Sequence, residues 1–257
     1  MERIDLSNKP LVEAIFELRW ALEETGPGLR RDPHYTLLIG RLYEQLGEEY
    51  PFHQQLPSAV IPGDIAAYLV QHQFRKGEDQ WPVVQIGPGI ITVNDTDTYV
   101  WEDFHNRIVE AVNTVFKVYP TPDHGLVAES LLLRYIDGVP FDFQTGDVLA
   151  FLRKKLKTDI GLHHALFEDA RVNAMAKALD LRFAFESAEP KGTIRLRFVR
   201  GHVQNSDALL WETVVESQSA DLPALPDGIG PWAEAAHEVT HDWFFKLIEG
   251  ELLERFK

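Results

Sequence analysis

Cysteine is absent from all 257 residues. That absence excludes disulfides, thiolate zinc sites, thiolate-held iron–sulfur clusters and a cysteine nucleophile together, and it agrees with a reducing compartment. Long apolar runs are missing as well. None approaches the about 20 residues that span a bilayer, and the segment Met1 to Pro10, with Glu2, Arg3, Asp5 and Lys9, lacks the apolar stretch of a secretory signal. A cytoplasmic location without membrane association is therefore expected. Positive charge is scarce: 25 basic against 40 acidic side chains leave a formal charge of -15. Such a field repels phosphate backbones, so non-specific nucleic-acid binding is not expected. The densest basic stretch, Lys191, Arg195, Arg197 and Arg200, is interleaved with apolar residues and reads as the solvated face of a strand.

What is present reads as alternating strands and helices. Leu11 to Trp20 places Val12, Ala14, Phe16, Leu18 and Trp20 on one side and Glu13, Glu17 and Arg19 on the other, the pattern of a half-buried strand. Pro27, Gly28 and Pro33 mark a loop. Tyr35, Leu38, Ile39, Leu42 and Leu46 then recur at helical spacing up to Gly47. Strands are expected over Ile65–Phe74, Trp81–Ile86 and Ile90–Val93, with Gly87-Pro88-Gly89 as the turn between the last two, followed by a helix from about Trp101 to Val118. The second half predicts a strand at Leu126–Ile136 and a helix at Asp147–Leu156. Strands near Leu179–Glu186, Thr193–Val203 and Ala208–Glu216 and a long final helix complete it.

The expected architecture is thus α+β, with antiparallel sheet built from two pseudo-repeated β-α-β-β-β-α units, 1–122 and 123–257, packed as one compact unit with helices on one face. Leu18-Arg19-Trp20 lines up with Leu133-Arg134-Tyr135, and Trp101 corresponds to Trp232 as a helix opener. In element order this is similar to the duplicated, saddle-shaped fold of TATA-box-binding proteins, an analogy of fold that carries no function. Five segments fit one further pattern: Asn8-Lys9-Pro10-Leu11-Val12-Glu13-Ala14, Gln85-Ile86-Gly87-Pro88-Gly89, Tyr99 with Trp101 and Phe104, Leu133-Arg134-Tyr135-Ile136-Asp137, and Ala236-His237 with Phe244. Together they resemble a sporadically distributed family of uncharacterised bacterial proteins of about this length. The resemblance spans almost the whole chain and implies a cytoplasmic bacterial protein, with no catalytic residues to carry over.

Among candidate sites, His237-Glu238-Val239-Thr240-His241 is a literal HExxH, in which two helical histidines can share zinc while Glu238 activates water. No HxxGxxH continuation follows. On a helical wheel Trp232, Ala235, Ala236, Val239, Trp243 and Leu247 form the apolar stripe, away from His237 and His241, so the histidines are expected at the surface and no cofactor is expected to be required. His163-His164 offers a further loop ligand. Arg19 and Arg134, each beside an aromatic residue in corresponding strands, could form a symmetric pair for an anionic ligand, joined by Tyr135 and Asp137; the alternative is ion pairing with Glu13, Glu17, Glu129 or Asp137. Gly87-Pro88-Gly89 is no phosphate loop, because Pro88 lacks the backbone N–H and no lysine follows at the needed spacing. Neither a Gly-x-Ser-x-Gly elbow nor an isolated acid pair is found, Glu102 and Asp103 opening a helix whose dipole they complement. The expected function is a non-enzymatic binding or assembly module, self-associating or engaging another bacterial protein. The alternatives are a metal-dependent hydrolase at the HExxH segment and a small anionic-ligand binder.

Overall fold

Alternation along Leu11–Trp20 does what its period implies: in strand β1 (Leu11–Trp20) Ala14, Phe16, Leu18 and Trp20 are buried while the odd positions face the other way. The computed structural model describes residues 6–120, 125–168 and 171–257. Glu2, Arg3, Asp5 and the boundary at 122/123 lie outside the described residues. A short hairpin follows β1, formed by β2 (Glu23–Gly26) and β3 (Leu29–Arg31), and leads into helix α1 (Tyr35–Leu46). Strands β4 (Phe52–Gln55), β5 (His72–Arg75), β6 (Val83–Gly87) and β7 (Ile90–Asp95) then precede helix α2 (Trp101–Val118). The remainder is β8 (Ala128–Pro140), α3 (Val148–Lys155), β9 (Asp180–Ala188), β10 (Lys191–Val203), β11 (Ser206–Gln218), α4 (Ile229–Ile248) and α5 (Glu251–Phe256).

Nine strands form one antiparallel sheet in the order β4-β5-β6-β7-β1-β8-β11-β10-β9, with β1 and β8 side by side at its centre. The fold is α+β. Three features differ from the sequence expectation. The strand expected over Ile65–Phe74 is only β5, because Ile65 to Gln71 run as an irregular segment tied down through Tyr68 N–H to Pro88 O and Gln71 N–H to Ile86 O. The hairpin β2–β3 and the edge strand β4 were not expected, since their largely exposed side chains leave no alternation to detect. The single long final helix is broken at Gly250, whose φ of 100° belongs to the region that favours glycine.

One face of the sheet is covered by helices. A core cluster gathers Phe16, Leu18, Trp20, Leu42, Phe104 and Trp232 under α1, α2 and α4, and a second gathers Phe143, Leu152, Phe198, Trp211, Ile248 and Phe256 under α3, α5 and the end of α4. The first is braced by polar contacts of low exposure. Asp32 accepts from Trp20 Nε1 (2.9 Å), Tyr119 OH (3.1 Å) and the backbone N–H groups of His34 (3.0 Å) and Gly89 (3.3 Å). Arg107 on α2, 8% exposed, donates to Asp103 at 2.6 and 3.0 Å, to Tyr50 OH at 2.5 Å and to Glu49, fastening α2 to the segment after α1.

Close backbone approach fixes glycine at position 87. A Cβ there would lie 2.0 Å from the Leu69 carbonyl oxygen and 2.9 Å from Val70 Cα. Gly87→Ala must push the 65–71 segment off the sheet, an overpacking strain that should destabilise the chain by about 1–3 kcal/mol in urea unfolding. An unchanged midpoint would show that the segment does not pack there.

Candidate functional site

The two core clusters do not close completely against each other. Between them lies a cavity of about 620 Å³, within the roughly 300–1,000 Å³ of small-molecule sites. Its floor comes from the sheet: Tyr135 and Asp137 on β8 and Thr213 on β11, where Thr213 stands opposite Tyr135. One wall is Tyr99 and Trp101. They are positioned by a turn in which Asp95 accepts from Thr96 N–H (2.7 Å) and Thr98 Oγ1 (2.8 Å) before the chain enters α2. The opposite wall is α4, through His237, His241, Phe244 and Phe245. The strap Leu6 to Leu11 completes the enclosure. Asn8 N–H donates to Phe256 O and Gly138 N–H to Pro10 O, both at 2.9 Å, and Lys9 Nζ reaches Tyr99 O at 3.1 Å.

A chain of hydrogen bonds runs across the cavity. Tyr99 OH meets Tyr135 OH at 2.9 Å, and Tyr135 OH meets His237 Nδ1 at 2.9 Å. The His237 ring is stacked on Trp101, centroids 3.9 Å apart and planes within 11°, while Trp101 Nε1 donates to Glu234 at 3.0 Å. Burial, with the nearby His241 ring, lowers the His237 pKa to about 3, so this imidazole is neutral at physiological pH. Burial likewise lowers His241 and raises both phenols, Tyr135 and Tyr99.

Asp137 stands apart from this network. It is 3% exposed and accepts no hydrogen bond or ion pair from any described residue, and burial pushes its pKa up to about 8. Its cross-strand neighbour Trp211 also has a buried Nε1 without a partner, so the indole does not satisfy the carboxyl. The other two buried aspartates show what a structural carboxylate looks like in this chain. Asp32 has four donors and Asp95 is closed by its own turn. A buried polar group without partners costs free energy and calls for an explanation.

No protein-family model, curated protein or solved structure matches the chain. Its chemistry follows from the residues themselves.

The residues singled out by sequence fall on two sides of the sheet. Tyr135, Asp137, His237 and His241 line this same cavity. Arg19 and Arg134 project from the opposite, helix-free face, facing Ser130 and Ile15 across the strand pair, four residues or about 13 Å apart along β8. They form no joint site. Arg19 pairs with Glu17 at 2.8 Å and lies over the Tyr68 ring, whereas Arg134 makes no ion pair with a described residue and its Nε is buried without a partner. Arg195 and Arg197 on that face are paired with Glu216 and Glu212.

The HExxH residues separate as well. His237 is half-buried rather than at the surface, because α4 is covered by α2 on one side and by the sheet on the other, a second contact face that the wheel of one apolar stripe did not include. Glu238 is exposed and does not line the cavity. No group of three or more His, Cys, Asp or Glu side chains is disposed to hold a metal ion among the described residues. His163 and His164 stack on each other at 4.6 Å, with His164 beside Glu168, and are exposed away from the cavity.

Lys9, Tyr99, Trp101, Thr213, Phe244 and Phe245 were not named as site residues from sequence. A signal existed: of the five segments that carry the family resemblance, all but Gln85–Gly89 contribute to the cavity lining.

Proposed function

We propose that this chain is a binding protein that takes a small organic molecule into the cavity between β8, the start of α2 and α4. The observation that carries the reading is Asp137: a carboxyl on the cavity floor with no donor of its own, among aromatic walls. A bound ligand supplies the missing donor. Support for binding also comes from the hydrogen-bonded chain Tyr99–Tyr135–His237, which couples two phenols of raised pKa to an imidazole held neutral, so that none of the three titrates near neutral pH.

A ligand-observed NMR screen of fragments of mixed charge tests this. Fragments should show saturable binding to the native chain, weakened at least tenfold in His241→Trp, which fills the cavity mouth from an exposed helical position. Fragments that bind equally well to both proteins, or no binding at all, would contradict the cavity as the site.

We infer in addition that the sheet arose from two copies of one unit, 1–122 and 123–257, in a bacterial, cytoplasmic protein of the family it resembles. Support comes from the strand order, which runs outward from the centre as β1, β7, β6, β5 in one half and β8, β11, β10, β9 in the other. The register agrees: Arg19 and Arg134 sit two positions either side of the Glu17–Leu132 pair, in opposite directions.

A further inference from the structure

The cavity's ligand can be narrowed by charge. We propose that it is an organic cation, an alkyl- or arylalkyl-ammonium whose charged head pairs with Asp137 and whose apolar body lies against Trp101, Phe244 and Phe245. This rests on the cavity reading above and adds the class of molecule.

Four observations converge on a cation. First, Asp137 is unpartnered and 97% removed from solvent, so the group that satisfies it must come from within the cavity, and a charged donor gains most from a carboxylate there. Second, no cation among the described residues is paired with it. Lys9, the basic side chain on the lining, is held on the Tyr99 carbonyl, Arg19 and Arg134 are on the far face of the sheet, and His237 is neutral. Third, the walls are aromatic, and ring faces attract cations in desolvated surroundings where anions are repelled. Fourth, the whole chain carries -15, so its net field concentrates cations and depletes anions.

The ligand need not be bulky. Asp137 lies on the floor, and the aromatic side chains of α2 and α4 stand beyond it, so the molecule needs one cationic end and one flat or apolar end. An indole-ethylammonium has both. Its neutral acetamide and its carboxylate counterpart keep the ring and change the charge, which makes the three compounds a set that varies one property.

Titration calorimetry of tryptamine, N-acetyltryptamine and indole-3-propionate into the full chain tests the proposal. Tryptamine should bind with 1:1 stoichiometry and at least tenfold more tightly than either of the others. Asp137→Asn should lose at least tenfold for tryptamine while changing N-acetyltryptamine by less than threefold, with circular dichroism confirming that the variant is folded. The comparison among ligands on the native chain stands even without the variant. Equal binding of all three, or tighter binding of indole-3-propionate, overturns the cation assignment and leaves the cavity reading intact. If tryptamine fails while neutral fragments bind natively and are lost in His241→Trp, the cation assignment alone falls. If no fragment of any charge binds, both fall.

Discussion

Asp137→Asn should make the protein more stable at pH 9 by roughly 5 kcal/mol and leave it almost unchanged at pH 4. In the unfolded chain the carboxyl titrates near the ordinary aspartate value; in the folded chain burial raises it to about 8. Between these values the folded state holds a proton that the unfolded state has released. Native stability is therefore fullest below about pH 4 as far as this group is concerned, and it is lost as pH rises through about 8. Asparagine has no proton to lose, so the difference between the two urea-unfolding curves isolates Asp137 from every other titrating group. His237 acts at the other end of the range. Its depressed pKa removes stability as pH falls below the ordinary histidine value, and this contribution is common to both proteins and cancels. Parallel pH profiles for native and variant chains would mean that Asp137 has a partner in solution.

Arg107→Ala should have the opposite sign and be independent of the cavity, destabilising the chain by about 3 kcal/mol. Truncation leaves Asp103, Glu49 and Tyr50 OH without their shared donor. The two carboxylates are partly hydrated, which keeps the loss at the lower end for a broken buried ion cluster. Tyr50, whose phenol pKa burial holds up at about 12, stays neutral and loses only a hydrogen bond. Arg107→Met retains much of the aliphatic stem and should recover part of the loss. Equal destabilisation by both substitutions would contradict the division between packing and charge; no destabilisation by either would contradict the cluster itself.

The fold was legible where a hydrophobic period coincided with burial. Leu11–Trp20 and Trp101–Val118 have the bounds their patterns imply, and Asp147 caps α3 through the backbone N–H of Ala150 at 3.0 Å. Legibility failed where side chains are exposed on both faces, as in β2, β3 and β4, since no period then marks the strand. It failed at the site for a different reason. Arg134 and Tyr135 were grouped as neighbours in sequence, yet consecutive residues of a strand point to opposite faces, so Arg134 could never share a site with Tyr135 and Asp137. The same alternation carried the stronger message: Leu131, Leu133 and Val139 place position 137 on the buried face, where a carboxylate is out of place. The histidines of the HExxH segment were visible as a pair, but their Trp101 and Tyr135 partners lie over 100 residues away and are brought in only by the central position of β8 and the packing of α2 on α4.

The central claim is that Asp137 is a solitary carboxyl awaiting a cationic partner. The ¹³C carboxyl resonance of Asp137, followed from pH 3 to 10 with and without saturating tryptamine, tests it most directly. The account predicts an inflection near 8 for the free protein and a downward displacement of at least one unit when the ammonium is bound, because the ligand stabilises the ionised form. An inflection in the ordinary aspartate range, or one that tryptamine leaves in place, would contradict it.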